Sequence, residues 1–267
     1  MKLYFENNNI LKEYKVIMKE TINGEVKVNK MKVLFEFKKD GAKFFIPANL
    51  LEKEGELEKI LEKTNEIFKE VDYELDKTWQ VVGVKNLNEI IKKWDILRKE
   101  TFFYLKKENL KDFIFEISRI INNKYKLEEM LKRFNIIPYI FLGIYSQEIK
   151  KSSPLRLEKT IYNIFPLYNI PVQYEIYDDS SEEEKKIKFL IKESHKFDRQ
   201  EYIKKILSNN LEKQKIGSFN LSGEGSYIFD RDNLLKKMEK TINIEIKNLL
   251  TYICNYQIEE IKTNDTI

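Results

Sequence analysis

The sequence has few of the residues that usually carry metal or nucleophile chemistry: one cysteine and one histidine among 267 residues. The single cysteine, Cys254, excludes an intramolecular disulfide framework and fits a reducing compartment. The single histidine, His195, is needed by any histidine-based metal site or Ser-His-Asp triad that the chain could form. The sequence therefore indicates no metal site and no catalytic residue, and we expect the protein to bind no cofactor.

The chain also lacks a long apolar run. One long uncharged stretch, Asn135–Gln147, contains Pro138 and Gly143 and is shorter than the ~20 residues that span a bilayer. The N-terminal residues MKLYFENNNILKEYKV have no apolar core of the length that a signal peptide needs. We therefore expect a cytoplasmic protein without a transmembrane segment, although a mature exported chain whose leader had been removed would read the same.

Neither sign of charge dominates. The chain carries 48 basic and 44 acidic residues, and its formal net charge is +4. A balance this close does not favour a nucleic-acid partner. Hydrophobic residues make up 42% of the chain, which is typical of a folded domain and not of a disordered segment.

Both ends of the chain alternate between apolar and polar residues, which is typical of half-buried β-strands. Near the start, Asn23-Gly24 predicts a hairpin turn between two such runs. Three longer runs close the chain, at Ile216–Phe229, Leu234–Ile246 and Leu249–Ile261. We therefore predict an α+β fold with a large, mostly antiparallel, curved sheet and helices packed on one face.

The apolar residues in the middle of the chain recur at helical spacing. They predict one helix at about Ala48–Lys69, a second that begins after Asn86 or Asn88, and a third at about Glu108–Phe134. Between the first two helices, Val71–Val84 reads as a single strand. A helical middle between strand-rich ends supports the α+β prediction.

Three of the five prolines fall within Ser152–Pro171, which predicts an irregular connector. This connector is a candidate subdomain boundary in a chain that otherwise reads as a single α+β domain over residues 1–267. The order of hairpin, helix and strand recurs loosely in the two halves. This recurrence suggests an internal duplication.

One stretch looks like a phosphate-binding loop: Gly217–Asp230, which reads GSFNLSGEGSYIFD. A Walker loop needs Gly-Lys-Ser/Thr, but Gly225 is followed by Ser226, and a dinucleotide fingerprint needs a helix after its glycines. Alternation on both sides instead predicts a strand with Gly223 and Gly225 on its apolar face. We expect no nucleotide there, and such glycines indicate a bend, a close approach of another element, or the floor of a ligand cavity.

The remaining candidates for chemistry have simple structural interpretations. His195 follows a predicted strand and reads as a surface histidine. Cys254 lies on an alternating strand and reads as a small core residue. The acidic run Asp178–Glu184 lacks the oxygen spacing and the glycine of a calcium loop, so it predicts a solvated turn.

Two stretches resemble known proteins. Val84–Ile90 reads VKNLNEI, and Trp94 and Arg98 follow it. This pattern resembles that of uncharacterised bacterial proteins, some of which are encoded near contractile secretion systems of the type VI kind. The late segments GEGSYIFD, NLLKKMEKTINIEI and YQIEEI are similar to the closing meander of the curved sheets of lipoprotein carriers. The first resemblance implies an association with secretion machinery, and neither supplies a catalytic residue.

We interpret the chain as a non-enzymatic binding or adaptor protein that holds a protein partner or an apolar small ligand on a sheet face or in a groove. The residues that could line this groove are aromatic side chains and the two glycines. They are Phe35, Phe37, Trp79, Gly223, Gly225, Tyr227, Phe229, Tyr252 and Tyr256. Two alternatives stay open: a hydrolase that uses carboxylates in the groove, and a phage-defence or nucleic-acid-associated component.

Overall fold

The computed structural model describes residues 1–5, 9–45, 63–102, 108–134, 136–164, 168–202, 218–247 and 250–261. The strands, in chain order, are β1 (Ile10–Ile22), β2 (Glu25–Lys38), β3 (Gly41–Phe45), β4 (Glu70–Leu75), β5 (Val81–Val84), β6 (Leu155–Ile164), β7 (Tyr168–Asp178), β8 (Lys185–Glu193), β9 (Phe219–Phe229), β10 (Leu235–Ile246) and β11 (Leu250–Glu260). The middle of the chain contains the helices α1 (Leu87–Phe102), α2 (Glu108–Ile121), α3 (Lys124–Lys132) and α4 (Ile137–Ile140).

The strands form one antiparallel sheet in the order β5-β4-β3-β2-β1-β11-β10-β9-β8-β7-β6. Its two edges are β5 and β6, so the sheet is open. Most neighbours in the sheet are also neighbours in the chain, which is the arrangement that hairpin connections produce. The prediction of a large antiparallel sheet accompanied by helices is confirmed, and the structure gives no support to an internal duplication.

The predicted strands at both ends of the chain are confirmed. Asn23 and Gly24 have φ values of 49° and 90°, the positive values that a two-residue hairpin turn needs at both central positions. The strands β9, β10 and β11 fall inside the three predicted runs. On β10, Ile242, Ile244 and Ile246 are each 1% exposed, as the alternation predicts.

The chain forms two compact units. The first comprises Met1–Tyr4, Lys15–Met31 and Gln147–Ile267, and the second comprises Phe5–Tyr14 and Lys32–Ser146. The long strands β1 and β2 therefore contribute residues to both units. The first unit contains β6 to β11, and the second contains β3 to β5 and the helices α1 to α4.

The core of the second unit is rich in aromatic rings. The ring of Trp79 stacks on that of Phe37 at a centroid distance of 5.8 Å and on that of Tyr145 at 4.5 Å. Phe141, which follows α4, brings its ring to 5.8 Å from that of Phe35. All five side chains are at most 5% exposed, so burial of their large apolar area is the main stabilising contribution of this cluster.

The single strand predicted at Val71–Val84 is wrong, because a turn divides it into β4 and β5. Asp76 organises this turn: its Oδ1 accepts hydrogen bonds from the backbone N–H of Thr78 at 2.8 Å and of Gln80 at 3.0 Å. Trp79 lies in the turn with a φ of 61°, a left-handed conformation that is uncommon for a bulky residue. Since the turn contains neither glycine nor proline, the sequence carries no strong turn signal there.

We expect Asp76→Ala to lower the free energy of unfolding by about 1–2 kcal/mol, because two backbone donors lose a charged acceptor. Asp76→Asn keeps the Oδ1 acceptor and should lose less than about half of that amount. Chemical denaturation of the two variants beside the wild type measures the difference. An asparagine variant as unstable as the alanine variant would contradict the role assigned to Oδ1.

The helix predicted at Glu108–Phe134 is divided into α2 and α3. Asn123 starts the second of these, since its side-chain oxygen accepts a hydrogen bond from the N–H of Lys126 at 3.1 Å. The helix predicted at Ala48–Lys69 lies mostly outside the described residues. Of its described part, residues 63–67 are helical. Among the described residues, no helix has the length and apolar character that crossing a membrane requires.

The start of α1 follows Asn86, one of the two predicted caps. The Asn86 carbonyl accepts the hydrogen bond of the Ile90 N–H at 3.1 Å. Its side chain bonds to β4 instead of the helix: Oδ1 accepts from the Asp72 N–H at 3.0 Å, and Nδ2 donates to the Glu70 carbonyl at 3.0 Å. Asn86 therefore joins the helix start to the sheet of the second unit.

The irregular connector predicted at Ser152–Pro171 is wrong, because most of its described residues form β6 and the start of β7. Pro171 fits in β7 because the ladder between β7 and β8 begins at the next residue, where Val172 is opposite Glu193. Beyond that point the Pro171 carbonyl accepts a hydrogen bond from the Ser194 N–H at 3.3 Å. The missing N–H of proline thus falls where no ladder bond is needed.

Candidate binding site

The residues that the sequence predicts for a groove fall into two groups, one in each unit. In the second unit, Phe35, Phe37 and Trp79 lie together in the aromatic cluster, where neighbouring rings cover them. A partner would reach these three side chains only if the core opened. In the first unit, the remaining residues lie on β9 and β11, the two strands that flank β10.

The second group lies along the apolar side of the sheet in the first unit. Its members on β9 are Gly223, Gly225, Tyr227 and Phe229, and those on β11 are Tyr252 and Tyr256. Tyr227, Phe229 and Tyr252 are buried, and Tyr256 is half-buried. The structure thus brings this group together on one side of three adjacent strands.

Side chains from β8 fill the gap that the two glycines leave. A Cβ atom added at Gly223 would lie 2.7 Å from the carbonyl oxygen of Thr241 and 3.0 Å from Cδ1 of Ile191. A Cβ atom added at Gly225 would lie 2.9 Å from Cε1 of Phe189 and would also meet its Cζ and the carbonyl oxygen of Glu239. Of the three explanations for these glycines, the geometry favours the close approach of another element.

Lys240 is a site residue that the sequence analysis missed. It is 2% exposed and lies on the apolar side of β10, opposite Gly225 on one neighbouring strand and Tyr256 on the other. Its Nζ lies 5.7 Å from the ring centroid of Tyr174 and 5.8 Å from that of Tyr256. Tyr174 belongs to β7 and Tyr256 to β11, so rings from two other strands of the first unit lie near the Lys240 ammonium group.

The surroundings of Lys240 favour its neutral form. Burial lowers the pKa of Lys240 to about 7, since an ammonium group without water is costly. The two tyrosine rings stabilise a cation by about 0.5–2 kcal/mol, which is less than this desolvation. The sequence does indicate this burial: Lys240 occupies the position of an apolar residue in the alternating run that continues with Ile242 and Ile244.

Cys254 is a buried core residue, as predicted. It lies opposite Ile242 in the ladder between β10 and β11. Burial raises the pKa of the Cys254 thiol to about 11, so the thiolate that a nucleophile requires is scarce at neutral pH. The neighbouring Tyr252 hydroxyl donates a hydrogen bond to Oε1 of Glu20 at 2.9 Å.

His195 comes close to a serine and a carboxylate, but their geometry differs from that of a catalytic triad. The Ser194 hydroxyl donates its hydrogen bond to Oε2 of Glu158 at 2.5 Å, and Nδ1 of His195 lies 3.7 Å from Oε1 of the same carboxylate. In a triad the serine donates to the histidine. The hydrogen bond from Ser194 and one from Gln173 lower the pKa of Glu158, so this cluster fixes a carboxylate in its ionised form.

A polar cleft of about 360 Å³ opens on the other side of the sheet, across β8, β9 and β10. Its floor is formed by short residues, among them Gly225, Ser226 and Thr241, and its walls are long charged side chains. The lining residues are Asp179, Lys186, Lys188, Glu224, Gly225, Ser226, Glu239, Lys240 and Thr241. The strand register places Lys188 opposite Ser226, and Ser226 opposite Glu239.

Two charges in the cleft are available to a partner. Lys186 pairs with Asp179 at 3.2 Å, and Glu239 pairs with Lys237 at 2.9 Å. Within the described residues, Lys188 and Glu224 take part in no ion pair. In the same part of the chain, no three His, Cys, Asp or Glu side chains converge in a way that could hold a metal ion.

The cleft therefore offers ammonium, carboxylate and hydroxyl groups at the spacing of neighbouring strands, ~4.8 Å. Such a set is chemically complementary to a molecule that carries both signs of charge and many hydrogen-bonding groups. No model of a known protein family matches the sequence, and no curated protein matches it.

Proposed function

We propose that the protein is a non-enzymatic binding protein that holds a polypeptide segment of a partner in the polar cleft across β8, β9 and β10. The observation that carries this proposal is the presence of Lys188 and Glu224, which take part in no ion pair within the described residues, beside a floor of short residues. An acidic side chain of the partner would meet Lys188, and a basic one would meet Glu224. Each such exposed pair contributes about 0.2–1 kcal/mol, so the complex is of modest affinity.

A polypeptide fits the site better than an apolar small ligand. On the apolar side of the same strands, Phe189 and Ile191 lie against the two glycines and occupy the space that their missing side chains leave. The open side is polar, and its hydroxyl groups at Ser226 and Thr241 suit backbone hydrogen bonding. Of the two partner classes expected from the sequence, the protein partner is therefore the one we propose.

Two predictions from the sequence, the curved sheet with helices on one face and the link to secretion machinery, are part of this proposal although no contact in the structure supports them. A curved sheet with its helices on one face would keep the cleft accessible on the other. The resemblance of Val84–Ile90 to proteins encoded near contractile secretion systems suggests that machinery as a source of the partner. The carboxylate-based hydrolase and the nucleic-acid-associated component are the alternatives that the experiment must separate from a polypeptide binder.

The test is crosslinking in cells of the source organism with a photoreactive amino acid in place of Ser226, on the cleft floor. The cleft variant Lys188→Glu/Glu224→Lys keeps the net charge and turns both attractions into repulsions. The control variant Lys236→Glu/Glu245→Lys makes the same exchange at exposed positions of β10 that do not line the cleft. We expect one crosslinked protein, reduced about tenfold in the cleft variant and unchanged in the control.

Other outcomes would contradict the proposal in distinct ways. A crosslinked nucleic acid would favour the nucleic-acid alternative. A crosslinked protein whose yield is the same in both variants would show that the charges of the cleft do not hold it. A crosslinked polypeptide that the wild type cleaves, and that a Glu224→Gln variant leaves intact, would favour the hydrolase.

A further inference from the structure

The edge strand β6 is long, and no other strand of the described residues pairs with its outer side. It comprises Leu155–Ile164 and pairs with β7 alone among the strands of the described chain. An edge strand of this length presents a row of backbone donors and acceptors to any extended chain that can align with it. Its pairing with β7 is regular from Leu155 to Ile161, and the register shifts beyond Ile161.

The neighbouring contacts show which backbone groups face outward. The Pro171 carbonyl accepts the Ser194 N–H, so the backbone groups of Pro171 point from β7 toward β8. Those of Val172 and Tyr174 then point toward β6, since direction alternates along a strand. Their partners on β6 are Lys159 and Leu157. The backbone groups of the residues between, such as Glu158, therefore point away from β7 to the open edge.

The side chains of β6 combine apolar and charged groups. Leu155 and Leu157 are half-buried on one side of the strand. Arg156 and Glu158 lie on the other side, where the Arg156 side chain is 64% exposed and that of Glu158 is 33% exposed. Arg156 also reaches Glu175, with Nε 3.4 Å from Oε1, and its remaining guanidinium nitrogens can donate to a second carboxylate.

We propose that β6 pairs with β6 of a second copy of this chain, antiparallel, about a twofold axis at Leu157. The outward backbone groups belong to even-numbered residues, so even-numbered residues of the two copies must face each other. This is possible only if the twofold axis passes through a residue and not between two residues. An axis at Arg156, Glu158 or Lys159 would place identical charges directly opposite each other, which is destabilising.

An axis at Leu157 is complementary. It places Arg156 opposite Glu158 of the second copy, and the symmetry repeats this ion pair. It also places Leu157 opposite itself and Leu155 opposite Lys159, whose methylene groups can cover the leucine. The two pairs of Arg156 and Glu158 exchange about four backbone hydrogen bonds. Pro154, which has no N–H, limits the ladder at one end, and the register shift after Ile161 limits it at the other.

This inference does not depend on the proposed function, because the polar cleft and β6 are separate features. The test uses single cysteine variants of the full chain under mild oxidation, with Cys254 replaced by alanine. In a non-hydrogen-bonded antiparallel pair the Cα atoms are ~4.5 Å apart, within the range that a disulfide spans. Leu157→Cys should therefore form a covalent dimer.

Matched variants define the register. Lys159→Cys should stay monomeric, because its symmetry mate lies ~13 Å along the strand. The double variant Leu155→Cys/Lys159→Cys should crosslink, since these two residues face each other. Sedimentation velocity should show that Glu158→Arg weakens the dimer at least tenfold and that Arg156→Glu/Glu158→Arg restores it.

The proposal would be overturned if Leu157→Cys gave no more covalent dimer than the cysteine-free parent. A Lys159→Cys dimer that formed more readily would overturn the proposed axis. A wild-type chain that sedimented as a monomer at the highest soluble concentration would overturn self-pairing altogether. The cysteine positions are partly exposed, and a thermal melt confirms that each variant is folded, so a negative result counts against the proposal.

Discussion

Gly225→Val is expected to lower the free energy of unfolding by about 1–3 kcal/mol. A Cβ atom at this position meets the ring of Phe189 on β8 and the carbonyl oxygen of Glu239 on β10. The carbonyl belongs to a paired strand and cannot move without breaking the ladder, and the ring is packed against Tyr174 and Tyr227 at centroid distances of 5.4 and 5.3 Å. Moving either the ring or the carbonyl group therefore costs free energy.

Ser222→Val is the matched control, because Ser222 is an exposed residue of the same strand. Valine has a high β-propensity, so this variant should change stability by less than about 0.5 kcal/mol. Chemical denaturation of both variants provides the measurement. If Gly225→Val were as stable as the control, the space beside Gly225 would have to be open. That result would support the alternative that the glycines form the floor of a ligand cavity.

Strands and their inward faces could be predicted from the sequence because both follow from local alternation. The run that contains Ile242, Ile244 and Ile246 is an example: a period of two fixes the buried face once the strand is known. The turn at Asp76 could not be predicted in this way. It depends on one side-chain oxygen that accepts two backbone bonds, and DKTW lacks the glycine or proline that usually marks a turn.

The candidate sites depend on pairing between strands that are distant in the sequence, so local alternation alone cannot predict them. Lys188, Ser226 and Glu239 form one row only because β8, β9 and β10 adopt a particular register. The open edge at β6 is likewise a property of the strand order. In contrast, the glycines were correctly placed on an apolar strand face from local alternation, while the side chains that cover them come from β8 and could not be known.

Lys240→Met is expected to stabilise the protein by about 2–4 kcal/mol at pH 7.5. Methionine has a similar length and fills the same apolar space without the cost of burying an ammonium group. In the wild type, burial lowers the pKa of Lys240 to about 7, whereas an unfolded lysine has a pKa of ~10.4. Between these two values the unfolded chain binds one more proton at this residue than the folded chain.

The sign of the pH dependence follows from that proton difference. Stability rises with pH wherever the unfolded state binds more protons, by about 1.4 kcal/mol per pH unit for one group. Below pH 7 both states carry the charge, and the cost of burying it is fully present. From pH 7 to about pH 10.5 this cost disappears progressively. The advantage of Lys240→Met over the wild type should therefore shrink as the pH rises through this window.

Denaturation of Lys240→Met and of the wild type at several pH values between 6 and 11 gives the difference directly. Burial raises the pKa of the nearby Cys254 to about 11, and the charges of Cys254 and Lys240 affect each other, so both proteins are compared with Cys254 replaced by alanine. Lys236→Met, at an exposed position of the same strand, should show no comparable slope. If Lys240→Met instead destabilised the protein at pH 7.5, the ammonium group would be stabilised in the folded state by more than desolvation costs it. The two tyrosine rings at 5.7 and 5.8 Å would then be the first groups to replace.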